Sequence, residues 1–280
     1  MGVPIGNLED ITFRALKVLK EADLIVAEDT RRTSILCSHY AITTKLRSFH
    51  SYSSPKTLQS IVSRLSEGEN ICLVTDAGTP SVSDPGTELV AEARKANIEV
   101  IAIPGPSALT AAVSICGLQG DGLLFLGFLP RSGTRRKKAL VRLRSSQECV
   151  VFFESPFRLK ATIQELAKCL PERNAAIFRE LTKIHEEALV GSFQELDARL
   201  QEVERVRGEI TIVVEPSTNE TGATPARLED DELQERIETL QKEGLSTSAM
   251  AKSLALEDGR SKQELYDYIV HMKKTGESES

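Results

Sequence analysis

Apolar positions recur along this chain with two periods. Short runs rich in β-branched residues alternate with stretches whose apolar side chains fall every three or four positions, which predicts strands separated by helices and a mostly parallel sheet. Ile71–Val74 is the clearest strand, and it feeds a loop dense in Gly, Pro, Ser, Thr and Asp that ends near Gly86. Turns from strand to helix usually need two to six residues, so a loop of about ten marks a ligand-facing segment at the carboxyl edge of the sheet.

In chain order, Asp10 is expected to cap a helix over 11–21 on whose inner face Phe13, Leu16 and Leu19 lie. Strands are expected at 23–27, 46–49, 100–103 and 123–128, with helices at 30–39, 54–67 and 86–96 and another opened by Pro104-Gly105-Pro106-Ser107-Ala108. After a break at 130–134 the logic repeats, with helices at 135–145, 156–170 and 194–206, strands at 149–153, 175–178 and 209–214, and an alternating segment at 187–193. This divides the chain into an N-terminal α/β domain (1–129), a second α/β domain (130–216), a flexible Ser/Thr/Asn/Gly/Pro linker (217–228) and a small three-helix module (229–275), with disorder expected at the C-terminal end. The module's serines at 246 and 261 suit N-caps, and Ala249, Leu254, Leu256, Leu265 and Ile269 suit the core of a helix-turn-helix arrangement.

Composition narrows the classes. A 280-residue chain of net charge −6 is a globular protein of two domains or more, and not a uniformly basic nucleic-acid binder. Its odd, scattered cysteines, mostly inside apolar runs, indicate buried free thiols of a reducing cytoplasm. The N-terminus lacks the pattern of a secretory signal, and the uncharged stretch 100–118 is cut by Pro104-Gly105-Pro106, so it reads as core and not as a membrane span. Walker and Gly-x-Gly-x-x-Gly phosphate loops are missing, and His185-Glu186-Glu187 has Leu189 where a zinc motif needs its second His, so no metal is expected.

Seven segments in order carry a resemblance: Pro4-Ile5-Gly6-Asn7-Leu8-Glu9-Asp10, Ala27-Glu28-Asp29-Thr30-Arg31, Asp76-Ala77-Gly78-Thr79-Pro80 with Ser83-Asp84-Pro85-Gly86, Pro104-Gly105-Pro106-Ser107-Ala108, Gly127-Phe128-Leu129-Pro130-Arg131, Phe153-Glu154-Ser155-Pro156-Phe157-Arg158 and Arg179-Glu180-Leu181-Thr182-Lys183. From about Gly2 to Glu215 the chain resembles the tetrapyrrole-methylase superfamily, and within it the branch that methylates the ribose 2′-hydroxyl of a cytidine in small-subunit (16S) ribosomal RNA. The resemblance implies a homodimer that binds S-adenosylmethionine in a cleft between two α/β domains. Carried over by motif, Pro4, Ala77, Gly78, Thr79, Ser83, Ser107 and Ala108 line one side, and Phe153, Glu154, Ser155, Leu181, Thr182, Ile210 and Thr211 close the other. Glycine loops let a main chain approach such a ligand, and helix N-termini favour its carboxylate. Two features depart from the family pattern: the strand expected before Pro4 is not in the sequence, and Phe157 stands where the family more often has His.

A methyl transfer needs alignment first and a proton acceptor second. Glu28, Asp29, Glu180 and Lys183 are the candidates put forward, with Asp76, Asp84 and Glu154 also on cleft loops. Against each stands a structural role: Asp29 as a helix cap, Glu180 with Lys183 as a pair across a turn. Seven basic residues and no acid lie between Arg131 and Arg144. Arg131, Arg135, Arg136, Lys137 and Lys138, with Arg31 and Arg158, are therefore the candidates for RNA phosphates, a solvated helix face being the alternative. A tetrapyrrole methyltransferase would have less use for the basic run and the tail, and a non-enzymatic RNA-binding assembly factor would not need intact cofactor loops.

Overall fold

A computed structural model describes residues 1–217, 230–242, 245–255, 258 and 260–276. The expected linker beyond Ser217, Leu256 of the expected module core and the expected disorder at 277–280 lie outside these residues. The chain forms two compact units, one of Met1–Leu129 with Glu148–Glu215, the other of the described residues of 130–147 and 216–280.

The first unit opens with α1 (Phe13–Glu21), β1 (Leu24–Ala27), α2 (Thr30–His39), β2 (Leu46–Ser48), α3 (Pro55–Ser66), β3 (Ile71–Val74), α4 (Thr87–Lys95), α5 (Ala108–Ile115) and β4 (Leu123–Phe128). Strands β2, β1 and β3 lie side by side, all parallel, with β1 central. All of β1 is buried because helices cover both of its faces. Ile25 and Ala27 pack with Ala15, Leu19 and Cys37 of α1 and α2, while Leu24 and Val26 pack with Leu58, Ile61 and Leu89 of α3 and α4. At the sheet's edge Met1 donates its amino group to Leu73 O, Gly2 N–H reaches Ile103 O, and Val3 bridges Gly78. The strand expected at 100–103 is not formed; residues 1–3 run beside it, and a single hydrogen bond to Ile103 makes no ladder.

Two local expectations are corrected at the start. Residues Leu8–Asp10 make a 3₁₀ turn capped by the Asn7 side chain, so the cap of α1 moves from Asp10 to Thr12, whose oxygen accepts the Ala15 N–H. The same shift turns Phe13 out, 93% exposed, and puts Ala15 inside with Leu19.

The helix α6 (Gly133–Ser145) precedes β5 (Cys149–Glu154), α7 (Leu159–Cys169), β6 (Asn174–Arg179), β7 (Glu187–Ser192), α8 (Phe193–Glu202) and β8 (Ile210–Val214). The second sheet runs β4-β5-β8-β6-β7, and only β4 with β5 is parallel. The mostly parallel arrangement therefore fails here: the chain returns from β6 to β7 through a connection too short for a crossover, and β8 inserts antiparallel to both neighbours. One face of the sheet, with Val151, Ala176, Phe178 and Val213, packs on α5. Phe152, Ile177 and Ile212 share the other face, where Leu159 of α7 and Leu200 of α8 stand beside Ile177.

In the second unit, α6 buries Leu143 and exposes Arg135, Lys137 and Lys138, and Ser217 N–H bonds to Ser146 O. The helices α9 (Asp230–Lys242), α10 (Thr247–Leu254) and α11 (Lys262–Gly276) share a core of Leu233, Ile237, Met250, Leu254, Leu265 and Ile269. Ser246 caps α10, and Ser261 and Glu264 cap α11 reciprocally. The carboxylate of Asp258 is buried and satisfied by Arg260, whose guanidinium also lies over the Tyr268 ring.

Candidate active site

The loop after β3 is built on uncommon backbone. Gly78, Ser81, Ser83 and Gly86 all have positive φ (76°, 69°, 67° and 134°), and such conformations gather where a loop is held for function. Gly78 exchanges two hydrogen bonds with Val3, and a Cβ placed on it would stand 3.5 Å from Ile5 Cγ2 and 3.9 Å from Pro106 O. Residues 3–6, 76–79 and 104–107 therefore meet at Gly78. Beside them α5 begins at Ala108, and the Ser107 hydroxyl makes no capping bond, which leaves the first N–H groups of that helix available to an anion.

Residues of the second sheet reach the same place. A Cβ on Gly6 would fall 2.7 Å from Thr182 Oγ1 and 2.9 Å from Leu181 O, and Asn7 N–H donates to Thr182 Oγ1 at 3.0 Å. Ile5, Leu181, Phe178 and Ala108 lie in one apolar cluster. Glu180 and Thr182 are themselves left-handed, with φ of 56° and 66°, so the turn that presents Leu181 is strained. Ile210 and Thr211 are buried opposite Glu154 and Phe153, and the Phe153 ring meets Phe125 and Phe128 edge-on.

The carboxylates separate by environment. Burial first, then the charge of Glu28, raises Asp84 to about 6; Asp76 and Glu209 add to the rise, and the neighbouring Thr75 hydroxyl opposes it. Asp29 goes the other way: hydrogen bonds from Arg31 hold its carboxyl at about 2. Its oxygen also caps α2, as the structural alternative to catalysis had it. Glu28 Oε2 accepts from Thr75 Oγ1 at 2.9 Å, and Asp76 accepts from Asp29 N–H and sits 3.5 Å from Arg32. Glu180 and Lys183 pair at 2.8 Å, and Lys183 also reaches Glu209 at 3.1 Å. Burial opposes the charge on both, but their hydrogen bonds prevail, lowering Glu180 and raising Lys183. Glu209 was not singled out from the sequence; its position just before β8 is the only signal that marks it.

Glu154 is buried and accepts from Ser155 N–H, from Thr162 Oγ1 at 2.7 Å and from Arg158 at 2.5 Å, while Arg158 Nη1 donates to Leu129 O. Arg158 is thus engaged within the protein, and Arg31, though 89% exposed, lies against Asp29. Arg136 donates to Pro130 O, whereas Arg131, Arg135, Lys137 and Lys138 have exposed side chains with no ion pair among the described residues. Among those residues no cluster of His, Cys, Asp or Glu has the makings of a metal site, and no helix is long and apolar enough to cross a membrane.

The model of the Tetrapyrrole (Corrin/Porphyrin) Methylases matches residues 1–197. The chain belongs to this family. Within it, the Thermotoga maritima protein named ribosomal RNA small subunit methyltransferase I is 46% identical over 214 residues, covering 76% of this chain and 96% of that one. The Bacillus subtilis protein of the same name is 38% identical over 278 residues, covering 97% and 92%. Solved tetrapyrrole methylases share the fold at low identity. A cobalt precorrin-4 methyltransferase has a TM-score of 0.60 at 15% identity, covering 77% of this chain and 92% of its own. A uroporphyrin-III C-methyltransferase from Thermus thermophilus has 0.53 at 19%, covering 76% and 91%. The loops that meet at Gly78 all fall within the span that the family model matches.

Proposed function

We propose that this protein is a methyltransferase that moves the methyl group of S-adenosylmethionine to the ribose 2′-hydroxyl of a cytidine in small-subunit ribosomal RNA. The observation that carries the reading is the segment Ile5–Asn7, which meets Gly78 of the first sheet's loop through Ile5 and the Leu181–Thr182 turn of the second sheet through Gly6 and Asn7. The named activity of relatives that match nearly the whole chain supports the RNA substrate, and the acid-free basic helix α6 supports it chemically. The site fits the cofactor's parts: left-handed backbone where a ligand approaches closely, uncapped N–H groups at Ala108 for a carboxylate, and apolar walls from Ile5 and Leu181. When bound, S-adenosylmethionine supplies an electrophilic methyl group on a positively charged sulfur.

The chain's own part is to align the ribose oxygen and take its proton. Asp84 is the residue we assign to the proton: it is half-buried on the strained loop, and a carboxyl near 6 is ionised at neutral pH yet basic enough to accept. Asp29, held near 2, is too weak a base, and Glu180 and Lys183 are spent on each other. Glu28 and Asp76 act on Asp84 through their like charge, which keeps its carboxyl basic.

A homodimer in the cytoplasm completes the reading. Phe157 and Ile184 are 84% and 97% exposed on two turns at one end of the second sheet, and a second copy that covered them would bury both. The direct test is mass spectrometry of 16S ribosomal RNA after incubating purified small subunits with the protein and S-adenosylmethionine. A 2′-O-methylcytidine is expected, and a subunit left unmodified would overturn the proposal.

A further inference from the structure

Behind the cofactor-facing side of the second sheet lies a cavity of about 280 Å³ that the reading above leaves unused. Leu159, Ile177, Leu189 and Leu200 give it an aliphatic floor. Its rim is cationic: Arg205 and Arg207 are exposed there with no ion pair among the described residues, and Arg179 stands beside them, paired to Glu187 at 2.8 Å. In a chain of net charge −6, unpaired guanidinium groups over an apolar floor are a local exception.

Its place in the fold links it to the methyl-transfer site. The register sets Glu154 and Arg179 on either side of Ile210, and Glu187 opposite Arg179, so these residues line one edge of the sheet. Ser155, Leu181 and Thr182 project from that same edge. Ile177 and Arg179 share the cavity's face, while Phe178 between them packs on the other face with Leu181. The cavity thus opens over the edge from which the cofactor residues reach out.

Size and chemistry select its occupant. Sites for drug-sized ligands begin near ~300 Å³, so the cavity takes one ring and not a whole cofactor. An apolar floor wants a flat, uncharged group, and arginine planes want either a base to stack on or a phosphate to fork. An RNA nucleotide carries both parts, and single-stranded RNA presents its bases unstacked. We propose that this cavity seats the base of a nucleotide neighbouring the methylated one on the same strand, with Arg205 and Arg207 on the flanking phosphates. The proposal rests on the RNA-methylation reading.

The test measures affinity for a single-stranded fragment of small-subunit RNA across a salt series. Arg205→Ala with Arg207→Ala should raise Kd roughly tenfold and flatten the log-log salt slope by about 1.4, two single-strand phosphate contacts. Leu189→Phe, which fills the cavity and keeps every charge, should raise Kd with the slope unchanged. Wild-type affinity and slope in the double arginine variant would overturn the proposal. Loss of affinity in that variant but not in Leu189→Phe would also overturn it, leaving only an electrostatic rim. Failure of the functional reading looks different: wild-type protein would bind the fragment through these residues and transfer no methyl group to subunits.

Discussion

A carboxylate sits where the second sheet meets α7, and its neighbours explain why it is tolerated. Glu154 has no exposed side-chain surface, yet its oxygens accept three donors, from Ser155, Thr162 and Arg158. Removing one partner of such a pair leaves a buried charge with a large desolvation cost. Arg158→Ala is expected to cost ~3 kcal/mol, the lower end for a buried pair because Arg158 keeps a quarter of its surface in water, and urea unfolding will read it. Asp84 behaves in the opposite sense. Its folded value of about 6 lies above the ordinary 3.8, so the fold gains from its proton below that ordinary value and loses the gain as pH rises through 6. Asp84→Asn cannot ionise; thermal melts should show it more stable than wild type above pH 6, with the two converging towards pH 4. Its methyl transfer should fall ~10²-fold or more at pH 7 and above, and the gap should narrow below pH 6 as the wild-type carboxyl takes up its proton. A variant that kept wild-type turnover would remove Asp84 from the proton step. At Gly78 the strain is conformational: with φ at 76° and no protein atom nearer than 3.5 Å to a Cβ, Gly78→Val folds at a cost of ~1–2 kcal/mol. Calorimetry should show S-adenosylmethionine binding lost, because the new side chain projects where the ligand is expected.

At the scale of elements, the periodicities of the sequence carried most of the strands and helices, and the exceptions have physical causes. Ile210–Val214 and Ile71–Val74 are apolar runs that no other structure would bury, so their assignment needed no partner. Strand direction is different. It depends on how far the chain travels between strands, and the short return from Arg179 to Glu187 reverses it without leaving a mark on hydrophobicity. Likewise β4 pairs with β5 in the second sheet, a choice made by register that its own residues do not declare. The loops that meet at Gly78 stand out in the sequence because Gly, Pro and Ser crowd them; of the charges around Asp84, Glu28 and Asp76 lie on those marked loops, whereas Glu209 comes from the second sheet and carries no such mark. Helix α6 shows what such a reading can predict. Arg135, Lys137 and Lys138 are exposed and Leu143 is buried, so the basic face is separable from the packing face. Replacing those three by Ala should leave the melting temperature within a degree or two and reduce the salt slope for subunit binding by ~0.7–0.9 per lost contact. An unchanged slope would make α6 an ordinary solvated helix.

At the scale of the molecule, the question is what the three-helix module does. It has a core of its own in Leu233, Ile237, Met250, Leu254, Leu265 and Ile269, and none of the cofactor motifs. The described residues around α6 belong to the same compact unit as the module. The Thermotoga maritima relative is matched over 96% of its length by only 76% of this chain, so about a quarter of this chain has no counterpart there. Truncation after Ser217 keeps the Ser217–Ser146 hydrogen bond and every loop around Gly78, and it should leave S-adenosylmethionine affinity unchanged by calorimetry. Subunit methylation should weaken through a raised KM, the mark of lost substrate binding without lost transition-state contacts. Neutralising Arg135, Lys137 and Lys138 in the truncated protein should then add less than it does in the full chain, because residues in one packed unit do not contribute independently. Fully additive effects would show that the module and α6 meet the subunit separately, and an unchanged KM on truncation would give the module another task altogether.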